Sequence, residues 1–180
     1  MFEKTVDALR RLNRLIALIV GVVLALTVVF ILVDITLRQF GRSFGGSDEI
    51  SGYVMAMVAS WGLPFALLEL AHVRIDLLRL RLATTGRSVL DILAISTTAA
   101  VTSVVAWQAW PVLEKTIDRG SRANTPLETP LWIPQVIWFS GWVWFAFVST
   151  VLLFCAIGLI ARRQTASFER SFGTATEVEA

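Results

Sequence analysis

Apolar positions in this chain gather into four long runs separated by short polar stretches. The first, Leu15 to Leu37, reads LIALIVGVVLALTVVFILVDITL. At about 1.5 Å per residue it is roughly 34 Å long, enough to cross the hydrocarbon core of a bilayer. The second runs from about Ile50 to Leu70, the third from Val89 to Trp110 and the fourth from Gln135 to Ile160. Runs of this length predict spanning helices rather than one soluble core. The expected fold is an all-α integral membrane protein with four transmembrane helices. They form a single domain over residues 1–164, and the polar residues 165–180 form a mobile cytoplasmic tail.

The stretches between the runs carry the punctuation. In the first fourteen residues, Glu3, Asp7, Arg10 and Arg14 recur at helical spacing, with Phe2, Val6 and Leu9 on another face. This predicts an interfacial helix or an extension of the first span. A cleaved signal peptide would have an apolar core of about 7–15 residues. This run is longer and ends in Asp34, Arg38 and Gln39, so a retained anchor is expected. Arg38 to Gly46 is a glycine-rich turn, after which Ser47 is expected to cap the second span, with Asp48 and Glu49 in its first turn. Gly62 and Pro64 predict a kink in that span. Residues 73–87 hold four arginines among leucines and read as an interfacial segment of undefined conformation. The third run is rich in small and hydroxyl residues, which predicts the helix most enclosed by protein. Pro111 to Pro134 holds four of the five prolines and reads as the longest loop, extended and rigid across Thr125 to Pro134.

Composition fits this class. The chain is 56% hydrophobic and only 17% charged, against about 25% charged in soluble domains. Its net charge of +2 comes from arginines beside apolar runs, which are topology signals and no sign of nucleic-acid binding. The N-terminal segment, the second loop and the C-terminal segment together hold eleven Lys and Arg; the other two loops hold five. Both termini are therefore expected in the cytoplasm. Trp107, Trp110, Trp132 and Trp138 flank the outer loop as an aromatic belt. One cysteine, Cys155, excludes an internal disulfide, and one histidine, His72, excludes a haem held between two histidines of this chain.

Several residues invite a chemical reading. Asp34 lies near the outer end of the first span with Arg38 four residues on; it is either a proton or cation site or an interfacial ion pair, and its position favours the pair. Glu69 and His72 could relay a proton or simply finish a helix. Asp91 opens the third span, where an acid suits the helix dipole. Asp48 and Glu49 either cap a helix or dock a partner on the outer face. No catalytic constellation, Walker A sequence or CxxC is present. The paired broken helices of a self-sufficient transporter are also missing, so the chain reads as a subunit, with no catalytic or cofactor site expected.

Taken in order, certain residues resemble a known family. They are Asp48-Glu49, Trp61-Gly62 and His72-Val73-Arg74-Ile75-Asp76, then Gly120, Thr125-Pro126-Leu127, Leu131-Trp132-Ile133-Pro134-Gln135 and Gly141. Their order resembles the small, DctQ-like membrane subunit of tripartite ATP-independent periplasmic (TRAP) transporters, over roughly residues 15 to 160. One departure is Gly45-Gly46 before the acidic pair, where many relatives carry an aromatic residue. The resemblance implies a secondary, sodium-driven importer of an organic acid in the bacterial inner membrane. It implies two partners, a large membrane subunit and a periplasmic substrate-binding protein. The small subunit would brace the first and help dock the second. Candidate docking residues are Asp48, Glu49, Thr125, Pro126, Trp132 and Pro134. Candidate subunit-interface residues are Trp61, Gly62, Ala100 and Ser103, and His72, Arg74 and Asp76 are the family-motif helix end. The rival readings are a membrane anchor for a redox enzyme and a small self-contained proton-coupled transporter.

Overall fold

The computed structural model describes residues 2–69 and 84–161. His72, Arg74, Asp76, most of the expected interfacial segment and the polar tail lie outside the described residues. Within them are four long helices: α1 (Phe2–Gln39), α2 (Ser47–Leu68), α3 (Thr84–Asp118) and α4 (Trp132–Ala161). All four are long and apolar enough to cross a membrane, so the chain is an all-α, multi-pass membrane protein.

The helices outrun the expected spans. α1 is one continuous rod of 38 residues, about 57 Å long, so the charged N-terminal segment extends the first span and is no separate interfacial helix. α3 starts five residues before Val89 and runs through Pro111 to Asp118. This corrects the expectation that Pro111 opens a loop. Proline costs a helix interior one hydrogen bond and a clash with the carbonyl four residues back. Beyond it, however, Leu113 and Thr116 are buried, and that packing holds two further turns. α4 starts at Trp132 and contains Pro134 in its first turn, where the missing N–H costs nothing. α2 likewise continues through the buried Pro64.

Helix order in space is α1–α2–α4–α3. α1 packs along α2, α2 along α4 and α4 along α3, with a smaller contact between α1 and α4. The result is an open plate, with α4 touching all three neighbours and α1 and α3 at the margins. Over an 18-residue apolar stretch of each helix, 39% of α4 is buried within the chain, against 28% for α3, 17% for α2 and 11% for α1. The third helix is therefore not the most enclosed one inside this chain. Its small residues divide between two faces. Ala99, Thr102 and Ala109 are buried, while Ala100 and Ser103 face outward. The hydroxyls need no partner helix, because Thr98 donates to the Ala94 carbonyl at 2.9 Å and Ser103 to that of Ala99 at 2.7 Å.

The apolar core sits toward the end that carries the termini. Val6 and Leu9 of α1, Leu67 and Leu68 of α2 and Ile95 of α3 converge there on Val148, Leu152, Cys155, Ala156 and Leu159 of α4. Polar side chains stitch the same region. The Trp144 indole donates to Asn13 at 3.2 Å, and Thr102 and Ser149 share a hydrogen bond of 2.9 Å between α3 and α4. Midway along the plate Gly141 of α4 lets α2 approach closely. A Cβ there would stand 2.7 Å from Ser60 Cβ and 2.9 Å from Trp61 Cδ1.

Candidate functional site

At the opposite end lie the α1–α2 turn and the α3–α4 loop. Asp34 organises the turn from inside. It is fully buried near the end of α1, and its carboxylate faces only donors. Oδ1 accepts from Ser43 Oγ at 2.9 Å and from the Phe44 backbone N–H at 2.8 Å. Oδ2 accepts from Ser47 Oγ at 2.8 Å and from Arg38 at 2.9 Å (Nε) and 2.8 Å (Nη2). Asp34 is thus the ion pair that its spacing to Arg38 suggests, and it also knots the turn to the start of α2. A proton-relay role fits this setting poorly, since protonation would oppose a donor to donors.

Ser47 does not cap α2 as expected. Its hydroxyl is spent on Asp34, and the N-cap position is Gly46, with φ 89° and no side-chain cap bond. Only glycine adopts that φ without strain, and the position is also crowded. The Leu127 side chain, from the α3–α4 loop, fills the space that a Cβ on Gly46 would need.

The acidic pair divides its labour. Glu49 turns inward, accepting from Tyr53 Oη at 2.7 Å one helical turn on and from Thr125 Oγ1 in the α3–α4 loop. Asp48 points outward, with its side chain 96% exposed and Arg38 Nη2 3.9 Å away. Neither acid caps the helix through its side chain.

The α3–α4 loop is a short, preformed hairpin. Just past the end of α3 stands Gly120 (φ 57°), whose N–H bonds the Ile117 carbonyl while that of Ser121 bonds the Thr116 carbonyl, a left-handed helix stop that suits glycine. Ala123 N–H then donates to the Thr129 carbonyl at 2.9 Å and Leu131 N–H to that of Ser121 at 3.0 Å. Between them Thr125-Pro126-Leu127-Glu128 makes a turn closed by Glu128 N–H to the Thr125 carbonyl at 3.0 Å. Pro126 holds its second place, where the fixed φ of proline is already correct. Thus the expected extended path is instead a turn that returns directly into α4.

The docking candidates are therefore gathered at one end. Asp48, Pro126 and Trp132 are exposed, Thr125 ties the loop to Glu49, and Pro134 sits half-buried in the first turn of α4. The subunit-interface candidates are scattered. The Trp61 indole donates to the Ile137 carbonyl at 2.9 Å, so it joins α2 to α4 within the chain. Gly62 has open space where a Cβ would go, and Ala100 and Ser103 lie on the outer face of α3.

At the terminal end Glu69 is paired with Arg14 of α1, at 2.8 and 3.2 Å, and Arg10 Nε donates to the Leu68 carbonyl at 3.3 Å. Two arginines of α1 thus meet the C-terminus of α2, the favourable end of its dipole for cations. His72, the other half of the expected pair, lies outside the described residues. Asp91 is buried in the second turn of α3, because the helix begins earlier than its apolar run; it is therefore no N-terminal dipole partner. Among the described residues no group of three His, Cys, Asp or Glu could hold a metal ion.

A family model described as tripartite ATP-independent periplasmic transporters, DctQ component, matches residues 27–159. The chain belongs to this family. It is a small membrane subunit of a TRAP transporter, a transporter component and not an enzyme. No curated protein and no solved structure matches the chain. The DctQ match begins within α1 at Thr27 and ends near the close of α4, so it takes in the Asp34 knot, the acidic pair, the hairpin loop and the Gly141 contact.

Several site residues escape a sequence reading. The Glu49–Tyr53 bond is legible at i,i+4. The knot around Asp34 is not, because Ser43, Phe44 and Ser47 return to it only through the shape of the turn. The seat of Leu127 on Gly46 leaves as its one trace a glycine pair beside a helix start.

Proposed function

We propose that this chain serves a sodium-driven importer of an organic acid in the bacterial inner membrane, bracing the large transport subunit and presenting its loop end to a periplasmic binding protein. Both termini lie in the cytoplasm on this reading, as the arginine distribution requires. The observation that carries it is the pre-assembled loop end. The turn, the start of α2 and the hairpin are tied to one another by Asp34, Glu49 and the Gly46–Leu127 contact. A partner landing on such a surface orders little, and binding costs less entropy. Asp48, exposed on this surface, favours a partner with a basic patch, since exposed charges raise association rates at low salt. Bracing is supported by the open plate, whose marginal helices leave long apolar faces uncovered by the chain itself.

The test is reconstitution. Sodium-driven uptake of a panel of organic acids into proteoliposomes should require this chain, the large subunit and the binding protein together. Uptake by this chain alone, or full uptake without it, contradicts the proposal. Labelling of a cysteine introduced at Asn124 should succeed from outside the cell, and one at Ser171 only after lysis.

A further inference from the structure

Asp34 is fully buried, and its carboxylate accepts from Arg38, Ser43, Phe44 and Ser47. Its hydrogen-bond bookkeeping has a single solution. Ser47 gives its hydroxyl proton to Asp34 Oδ2 and accepts from Arg38 Nη2 at 2.9 Å. Ser43 gives its proton to Oδ1 and accepts from the Gly45 N–H at 3.1 Å. Each hydroxyl donates once and accepts once, and every bond to the carboxylate is a donated one. The segment between these serines is Phe44-Gly45-Gly46. Phe44 lies on Phe30 of α1, with ring centroids 5.5 Å apart, and Gly46 is the seat of Leu127.

We infer that Asp34 is a positioning residue for the loop end: by fixing Gly46 under Leu127, a buried acid of α1 sets the place of the α3–α4 hairpin. The path is short and continuous. The carboxylate holds Ser43 and Ser47, these fix the two glycines between them, and the second glycine receives the loop. Glu49, two residues beyond Ser47, makes the other attachment through Thr125. α1 and α3 have no more than marginal contact in the plate, so beside the smaller contact of α1 with α4 this route joins the first helix to the loop. The inference rests on the proposed function only for its consequence in docking.

Spin labels separate the two. In the assembled transporter in nanodiscs, with Cys155→Ser as background, cysteines introduced at Met55 on α2 and Asn124 in the loop report the loop's position. The expected result is one narrow distance distribution for the unaltered loop and a broadened one for Asp34→Asn, which sets an amide donor against donors. Gly46→Ala should broaden it equally while leaving Asp34 intact, and Ser43→Ala should broaden it less. Arg14→Gln, at the far end, should leave it narrow. If Asp34→Asn fails to assemble, Gly46→Ala and Ser43→Ala carry the test. A distribution that stays narrow in Gly46→Ala, in Asp34→Asn or, where Asp34→Asn fails to assemble, in Ser43→Ala overturns the inference. In the same samples Asp34→Asn should slow binding-protein association by about tenfold, within the one to three decades over which mutants of one interface vary. A broadened loop with an unaltered association rate upholds the positioning role and counts against docking at this end.

Discussion

The two ends of the molecule are held together by different physics. At the terminal end the other three helices converge on Val148, Leu152, Ala156 and Leu159 of α4, with polar bonds between Asn13 and Trp144 and between Arg14 and Glu69. At the loop end there is no such apolar convergence. Buried or half-buried carboxylates, Asp34 and Glu49, gather hydroxyls and backbone N–H groups from the turn and the hairpin. In lipid, apolar burial gives little net drive, since the acyl chains are as apolar as leucine; close packing and interhelical hydrogen bonds decide which helices associate. The terminal end uses the first of these. The loop end adds to a few close contacts, such as Leu127 on Gly46, a set of acceptors and glycines that fix its shape. One end is suited to staying assembled, the other to holding a defined surface.

This contrast can be broken by substitutions that act on one end alone. The largest loss of stability is expected from Leu159→Ala, which opens a cavity at a residue only 1% exposed. We expect about 2–3 kcal/mol, toward the low side of the Leu→Ala range because lipid removes part of the transfer term. It should appear as an earlier thermal transition of the assembled complex, with binding-protein association unaltered. Gly141→Ala comes next, at about 1–2 kcal/mol, because the new methyl meets Ser60 and Trp61 and must push α2 from α4. Lying between the ends, it should disturb both, and a loss confined to one end would show that they are less coupled than the shared α2–α4 seam implies. Thr102→Val removes the bond to Ser149 but keeps shape, and about 0.6 kcal/mol is expected, the average for such bonds between membrane helices. The smallest effect belongs to Arg14→Gln. Its side chain is 66% exposed, and pairs of this kind contribute little and less still in salt. Thermal transitions at low and high salt should differ from the parent only at low salt.

The two ends also differ in how far they can be read from sequence. Four apolar runs and their order are written in the pattern itself, and so is the gathering of Asp48, Glu49 and Thr125-Pro126 at one end. The helix bounds are less legible. Pro111 reads as a stop, yet Leu113 and Thr116 bury against a neighbour that the sequence does not display. The hydroxyl residues of α3 suggest an enclosed helix. Their i−4 bonds to the backbone let them face outward, and enclosure falls to α4 because it lies between three neighbours. Asp34 is the sharpest case. Its spacing to Arg38 gives the ion pair, but the other partners arrive through a tertiary turn. The division between an inward Glu49 and an outward Asp48 depends on where Thr125 sits, 76 residues away.

The central claim is that the loop end is pre-assembled through Glu49 and Thr125 and that a partner binds the assembled form. A double-mutant cycle on binding-protein association with the assembled transporter tests it most directly. Glu49→Ala and Thr125→Val each remove one side of the same tie. The account predicts that either change alone slows association, that both together slow it no further, and that the amount of assembled membrane complex is unchanged. Independent, additive losses, or association as fast as that of the parent in all three variants, would contradict it.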